Sequence, residues 1–453
     1  MKVLERKIYR EILGWKNTLA DKYALLLEGA RRVGKTHIIR SFVQAEYATS
    51  IFIDFSEQDR RAREVRRAFE DYSDIPDLLS QLQLIFNVKL HPGRSCVVFD
   101  EVQLYPPARQ LIKQLVEYGR YHYIETGSLV GIHENVKDIL IPSEEHGIKM
   151  YPLDFEEFLD ALEDSMLKEH VQDCFQRGTG VSESCHDKLI ALFRLYIVVG
   201  GMPQSVLAYL GGDAESRLEA SERAKREILK LYDADIGKYA KGYASKVRSI
   251  FQTIPSALRR HEKKFHLSDL GSNARFRRYE NAFLWLKDAM VANVAYNSLS
   301  PDLGLGMNLD SSSFKCYYGD TGLLVTRAMG NGKSVDPRIM RGILHDSLGI
   351  DEGMFFENVV AQTFAAKGDE LRFYSRKDRV DESNTMEIDF LLGRGIKTVP
   401  VEVKSGRYRA HASLDRMIGK FNRHLGAKYV VCEGRYERDG EIVYLPSYMV
   451  HLI

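Results

Sequence analysis

The sequence predicts an α/β protein: a parallel-sheet domain first, a helical stretch next, then a mixed region leading into a second α/β domain. Three observations carry this. The apolar run Tyr23-Ala-Leu-Leu-Leu27 breaks into a glycine turn and then into helical spacing. A second apolar run, Cys96-Val-Val-Phe99, ends in Asp100 and Glu101. After about Ser311 the pattern returns to strand alternation.

A length of 453 residues exceeds one ordinary core and predicts about three domains. Hydrophobic residues at 44% and charged residues at 28% exclude a disordered chain. The net charge of +1 means that any nucleic-acid surface must be local. Five scattered cysteines lack zinc spacing and predict free thiols, hence a cytoplasmic protein. No apolar run approaches 18 residues, so no membrane span or membrane partner is expected.

The first run continues as Gly29-Ala-Arg-Arg-Val-Gly34-Lys35-Thr36 and then His37-Ile-Ile-Arg-Ser-Phe-Val. Strand, G-x-x-x-x-G-K-T turn and helix form the context that a phosphate loop requires. Gly29 and Gly34 let the backbone amides converge on phosphates, and the helix N-terminus adds partial positive charge there. Gly29, Arg32, Val33, Gly34, Lys35 and Thr36 are therefore the expected ATP-binding residues. Lys35 reaches the β- and γ-phosphates, and the Thr36 hydroxyl ligates Mg²⁺.

Asp100 and Glu101 end a strand at the sheet edge where such a loop lies. Asp100 is expected to hold the Mg²⁺ shell, and Glu101 to orient and deprotonate the attacking water. Ile51–Phe55 reads as another strand, and Tyr121–Ser128 as one ending in hydroxyls. Thr126 and Ser128 suit a sensor of the γ-phosphate, although a Thr-Gly-Ser turn is also ordinary loop chemistry.

From Phe155 to about Tyr239 the apolar spacing is helical, with Gly200-Gly-Met-Pro203 marking a sharp helix start. Residues 241–280 hold ten basic and three acidic residues. Leu267-Ser268-Asp-Leu-Gly271, Arg275-Phe-Arg-Arg278 and a helix through Trp285 have the layout of a helix-turn-helix or winged helix, with Ser268 as an N-cap. Clustered Arg and Lys would neutralise phosphates of DNA or RNA; the alternative is a solvated face against a neighbouring domain.

In the last third, Met386–Leu392 and Val399–Lys404 read as strands and Phe355-Phe-Glu357 starts a helix. Glu402 and Lys404 share a strand face because the side-chain period is two. With Asp389 on a neighbouring strand, the two carboxylates would grip Mg²⁺ while Lys404 orients a water, and Glu357 completes the site. Glu-x-Lys on one strand face is equally an ordinary surface ion pair.

Taken together, Gly29–Thr36, Val97-Val-Phe-Asp-Glu101, Thr126-Gly-Ser128, Tyr151-Pro-Leu-Asp-Phe-Glu-Glu-Phe158, Gly200-Gly-Met-Pro203, Asp320-Thr-Gly-Leu-Leu324 and Val401-Glu-Val-Lys-Ser-Gly406 resemble a known group. They look like the prokaryotic AAA-type ATPases with a C-terminal uncharacterised domain related to the PD-(D/E)XK nuclease fold. The resemblance implies an α/β P-loop NTPase (AAA-like) core over 1–154 and a helical lid over 155–240. It implies a winged-helix-like region over 241–310 and an α/β restriction-endonuclease-like domain over 311–453. Many relatives carry a glycine-arginine pair before Pro-Leu-x-Phe-x-Glu-Phe; here Glu144–Met150 contains no arginine, so no arginine finger is assigned there.

The functional expectation is an ATPase using ATP and Mg²⁺, coupled to a nuclease-like module acting on DNA or RNA, and a homo-oligomer by analogy with AAA-type rings. The second reading is an ATP-dependent regulatory or scaffold protein whose C-terminal domain binds a partner without cleaving nucleic acid.

Overall fold

The computed structural model describes residues 4–128, 142–260, 262–271, 274–302, 304–330, 332–348, 352–378, 385–406 and 408–453. The chain divides into two compact units, Arg6–Tyr151 with Asp288–Met290, and the remainder. The segments read as lid, winged-helix-like region and nuclease-like domain all fall within the second unit, apart from Asp288–Met290.

The first unit is built on five parallel strands, β1 (Ala24–Gly29), β2 (Thr49–Asp54), β3 (Ser95–Asp100), β4 (His122–Gly127) and β5 (Glu145–Met150). Their order is β2-β3-β4-β1-β5. Successive side chains alternate between faces, and both faces are covered, which is why the central strands read as continuous apolar runs. Leu25 and Leu27 pack with Val98 and Ile124 against α1 (Ile8–Thr18) and α2 (Lys35–Glu46). Leu26, Ile53, Val97 and Phe99 face α3 (Arg60–Asp71), α4 (Ile75–Phe86) and α6 (Ile112–Tyr118), the last preceded by the short α5 (Pro106–Gln110). Because β4 lies between β1 and β3, the ends of all three strands meet at one edge.

The second unit begins with five helices, α7 (Phe155–Ala161), α8 (Ser165–Gln176), α9 (Glu183–Val199), α10 (Pro203–Gly211) and α11 (Arg217–Tyr239). Gly200 adopts φ +79 and Pro203 opens α10, the sharp helix start read from the sequence. Next come α12 (Ala244–Leu258), α13 (Phe276–Asp288), β6 (Ala292–Ser298), β7 (Leu309–Tyr318), α14 (Thr321–Met329), α15 (Pro337–Leu344) and α16 (Gly353–Ala366). The last part holds β8 (Arg372–Arg376), β9 (Met386–Ile388), β10 (Phe390–Arg394), β11 (Lys397–Val403), α17 (Ala412–Phe421), β12 (Lys428–Cys432), β13 (Glu437–Asp439) and β14 (Ile442–Pro446). Two sheets result, ordered β7-β6-β8-β9 and β10-β11-β12-β14-β13.

Three motifs of the resemblance converge here in one backbone crossing. The Leu153 N–H donates to Gly201 O at 2.7 Å, and the Tyr196 hydroxyl to Leu153 O at 2.6 Å. Buried Asp320 accepts the Gly201 and Leu323 N–H groups at 2.6 and 2.9 Å. A Cβ on Gly322 would lie 2.6 Å from the Gly200 Cα, so the two segments touch only because both positions are glycine. These motifs brace the fold.

Some local expectations are corrected. Ser268 lies inside a 3-10 turn, Leu267–Leu270, whose N-cap position is held by His266. The run Met386–Leu392 is two strands that meet at Asp389, one in each sheet. The β6/β7 hairpin that follows α13 also pairs in parallel with β8, so it is part of a sheet. Among the described residues, no single helix is long and apolar enough to cross a membrane.

Candidate functional site

At the carboxyl end of β1 the chain turns through Arg32 at φ +69 and Gly34 at φ +105 before entering α2. The left-handed turn costs Arg32 about 1 kcal/mol, and it folds the loop back over the strand. A Cβ on Gly29 would stand 2.5 Å from Met150 O, so glycine is required where β1 and β5 end together. Arg6, which the sequence reading missed, braces the loop: its guanidinium donates to Val33 O at 3.2 Å and to Tyr151 O at 2.6 Å. A single arginine before α1 carried no pattern that would have revealed this.

Lys35 is only 5% exposed, and its ammonium donates to Gly29 O at 2.9 Å and Ala30 O at 3.1 Å. Burial pushes its pKa down to about 8, partly offset by the negative charges of Glu101 and Asp100. Thr36 Oγ1 donates to Asp100 Oδ1 at 3.1 Å, and Thr126 Oγ1 donates to the same oxygen. Asp100 is buried, and burial raises its pKa against the lowering effect of those hydroxyls. Glu101 takes a left-handed φ of +53. Its Oε2 accepts from Gln103 Nε2 at 2.5 Å and from Ser128 Oγ at 3.4 Å. Lys35, Thr36, Asp100, Glu101, Thr126 and Ser128 thus belong to one edge. The hydroxyl and carboxylate oxygens of Thr36 and Asp100 are the hard donors that suit Mg²⁺. In β5, Glu145 receives Arg109 through two 2.8 Å bonds.

In the second unit Asp389, at the junction of β9 and β10, lies beside Glu402 of β11, since Phe390 pairs with Val401. Lys404 follows β11, and its ammonium is 2.6 Å from Glu402 Oε1. Burial, reinforced by the charge of Asp389, pushes Glu402 up to about 7. Glu357, fully buried on α16, also reaches this cluster.

What the sequence reading missed is the cation between these acids. Lys315 on β7 is fully buried, with its ammonium 3.1 Å from Glu357 Oε1, 3.1 Å from Asp389 Oδ1 and 3.3 Å from Glu387 Oε1. Tyr317, two residues along the same strand face, donates to Glu357 Oε1 at 2.6 Å, and Lys263 pairs with Glu357 Oε2. The Val403 N–H donates to Asp389 Oδ2 at 3.0 Å. Burial works against ionised Glu357, but Lys263 and Lys315 outweigh it and hold its pKa at about 2. The expected gathering of Glu357, Asp389 and Glu402 around Mg²⁺ is therefore not the arrangement found. Oxygens that would face the ion face an ammonium, and these residues do not fit a divalent metal. Among the described residues, no group of three or more His, Cys, Asp or Glu has metal-holding geometry.

The basic stretch 241–280 is also partly turned inward. Lys263 serves Glu357, and Arg260 pairs with Asp269 at 2.6 Å. Arg259, Arg275, Arg277 and Arg278 remain exposed.

Residues 21–159 match the family described as an AAA domain. Residues 190–334 and 352–448 match two domains of unknown function, DUF8612 and DUF4143. No curated protein matches the chain. Among solved structures, a Walker-type ATPase of Pyrococcus abyssi is 16% identical, with 72% of this chain and 96% of that chain covered and a TM-score of 0.40. Cdc6p from Pyrobaculum aerophilum is 10% identical over 77% of this chain and 96% of its own, with a TM-score of 0.31. The Drosophila ORC structure bound to DNA is 13% identical over 70% and 92%, with a TM-score of 0.29. These likenesses are loose, and the assignment rests on the family match and the loop. With its phosphate loop, parallel sheet and strand-end acids, the N-terminal part of this chain is similar to an AAA domain, the family that residues 21–159 match.

Proposed function

We propose that the first unit binds Mg-ATP at Gly29–Thr36 and hydrolyses it, and that the second unit serves as a binding module that does not cleave nucleic acid. The observation that carries the first part is Lys35, a buried ammonium resting on the carbonyls of its own loop at the start of α2. Those weak contacts are ones that a triphosphate can replace with charge-assisted bonds. Gly29, Arg32, Val33 and Gly34 supply the backbone cradle, and Thr36 and Asp100 hold the ion. Magnesium, when bound, neutralises charge on the β- and γ-oxygens. Glu101, fixed by Gln103 and Ser128, accepts the proton of the attacking water. Thr126 keeps Asp100 oriented while Ser128 faces Glu101, which makes this pair of hydroxyls the γ-phosphate sensor.

Titration calorimetry with Mg-ATP tests the reading. Wild type binds, and Lys35→Ala loses about a hundredfold or more in affinity, or roughly 2.7 kcal/mol. No heat of association with wild-type protein ends the proposal. For the second unit, the ammonium of Lys315 among the acids favours binding over cleavage, with the exposed Arg259, Arg275, Arg277 and Arg278 as the cations offered to DNA or RNA. A Mn²⁺-dependent plasmid-nicking assay separates the alternatives: cleavage by wild type that Lys404→Ala abolishes restores the nuclease reading.

A further inference from the structure

We propose that Lys315 is the resident cation of the C-terminal carboxylate cluster, so that this unit holds its acids around an ammonium and recruits no divalent metal there. The inference deepens the non-cleaving reading of the second unit and is independent of ATP binding by the first.

An ammonium has three N–H donors and no acceptor. Here three carboxylates, those of Glu357, Asp389 and Glu387, lie within 3.1–3.3 Å of it. The strand explains the aim. Lys315 and Tyr317 share one face of β7 by the period of two, and both meet Glu357 on α16. Glu387 and Asp389 come from the end of β9 and its junction with β10.

Magnesium needs oxygens at about 2.0–2.1 Å in near-octahedral array. To build that array here, the protein would have to expel a side chain that is fully buried. Further oxygens of the acids are engaged as well: Glu357 by Lys263 and Tyr317, Asp389 Oδ2 by the Val403 N–H, and Glu402 Oε1 by Lys404. Among the described residues, Glu402 Oε2 is the one oxygen of Glu357, Glu387, Asp389 and Glu402 that is both fully buried and without a hydrogen-bond partner. One such oxygen does not make a metal site. Four acids and three lysines (Lys263, Lys315 and Lys404) therefore nearly balance without any added ion.

The test is a Mn²⁺ titration of the full chain without nucleotide, followed by the EPR signal of the free ion. Wild type, Asp389→Asn, Lys315→Gln and Lys315→Gln/Asp389→Asn are compared, so that binding at the nucleotide site is common to all. Wild type and Asp389→Asn are expected to bind the same number of ions. Lys315→Gln is expected to gain a site at least about tenfold tighter than anything lost by Asp389→Asn in wild type, and the double variant to lose it. A wild-type site that Asp389→Asn removes overturns the proposal. So does a folded Lys315→Gln protein, judged by its circular dichroism melt, that gains none. Should Lys315→Gln fail to fold, the wild-type and Asp389→Asn pair decides alone. Because the readout is ion binding, a failure of ATP binding leaves the result intact.

Discussion

Lys35 and Lys315 are both buried lysines at a strand-associated site, yet their environments push them in opposite directions. Lys35 rests on two backbone carbonyls, and burial draws its pKa down to about 8. Lys315 suffers the same burial, but Glu357, Asp389 and Glu387 more than reverse it and hold its pKa above the ordinary value. An ammonium over carbonyls is an incomplete ion pair that an arriving anion finishes. An ammonium among carboxylates is finished already. The first arrangement makes a receptor and the second makes a joint.

The sharpest contrast concerns chemistry. Glu101→Gln should lower ATP turnover by about 10²–10⁴-fold while leaving Mg-ATP affinity unchanged, as read by phosphate release and calorimetry. A wild-type rate removes Glu101 from its role. Next comes stability. Lys315→Met leaves buried carboxylates uncompensated and should cost about 3–5 kcal/mol in urea unfolding. Lys35→Met removes a poorly solvated charge and should leave stability unchanged or raised; an equal loss in both variants would erase the contrast.

Acid sharpens the same point. Glu357 has a folded pKa of about 2 against an ordinary 4.5. Its stabilising contribution is fully present above pH 4.5 and is lost as pH falls toward 2, a change on the order of 3 kcal/mol. Urea midpoints measured across that window should decline in wild type and be flatter in Lys315→Met. The smallest effect belongs to Lys35. Its bound form must be protonated, so Mg-ATP affinity should be level below pH 8 and fall by up to about tenfold per pH unit above it. Calorimetry in buffers of different ionisation heat should detect the matching proton uptake, and an affinity that stays level to pH 9.5 would count against the buried ammonium.

The nucleotide edge was legible because each part is local. Gly29–Thr36 sits in strand-turn-helix order, and Asp100, Glu101, Thr126 and Ser128 end apolar runs, so one parallel sheet suffices to bring them together. The neighbouring placement of Asp389 and Glu402 was also readable from two short strands. Lys315 was not. A lysine inside Phe314–Tyr318 looks like one polar residue in an alternating strand, and its meaning depends on α16 and β9, which are 42 to 74 residues away. Its spacing of two from Tyr317 was the one available signal. Lys263 misled in the other direction: counted among ten basic residues, it raised an apparent surface charge while its ammonium lay against Glu357. Charge counts along a chain say nothing about which way a side chain points.

Asp389 sits where one extended segment leaves the β7-β6-β8-β9 sheet and joins the other. Its two oxygens grip different sheets, Lys315 of β7 on one side and the Val403 amide of β11 on the other. Sliding one layer past its neighbour would have to break both bonds together. The two sheets are therefore pinned together at this one carboxylate, which resists slip between them.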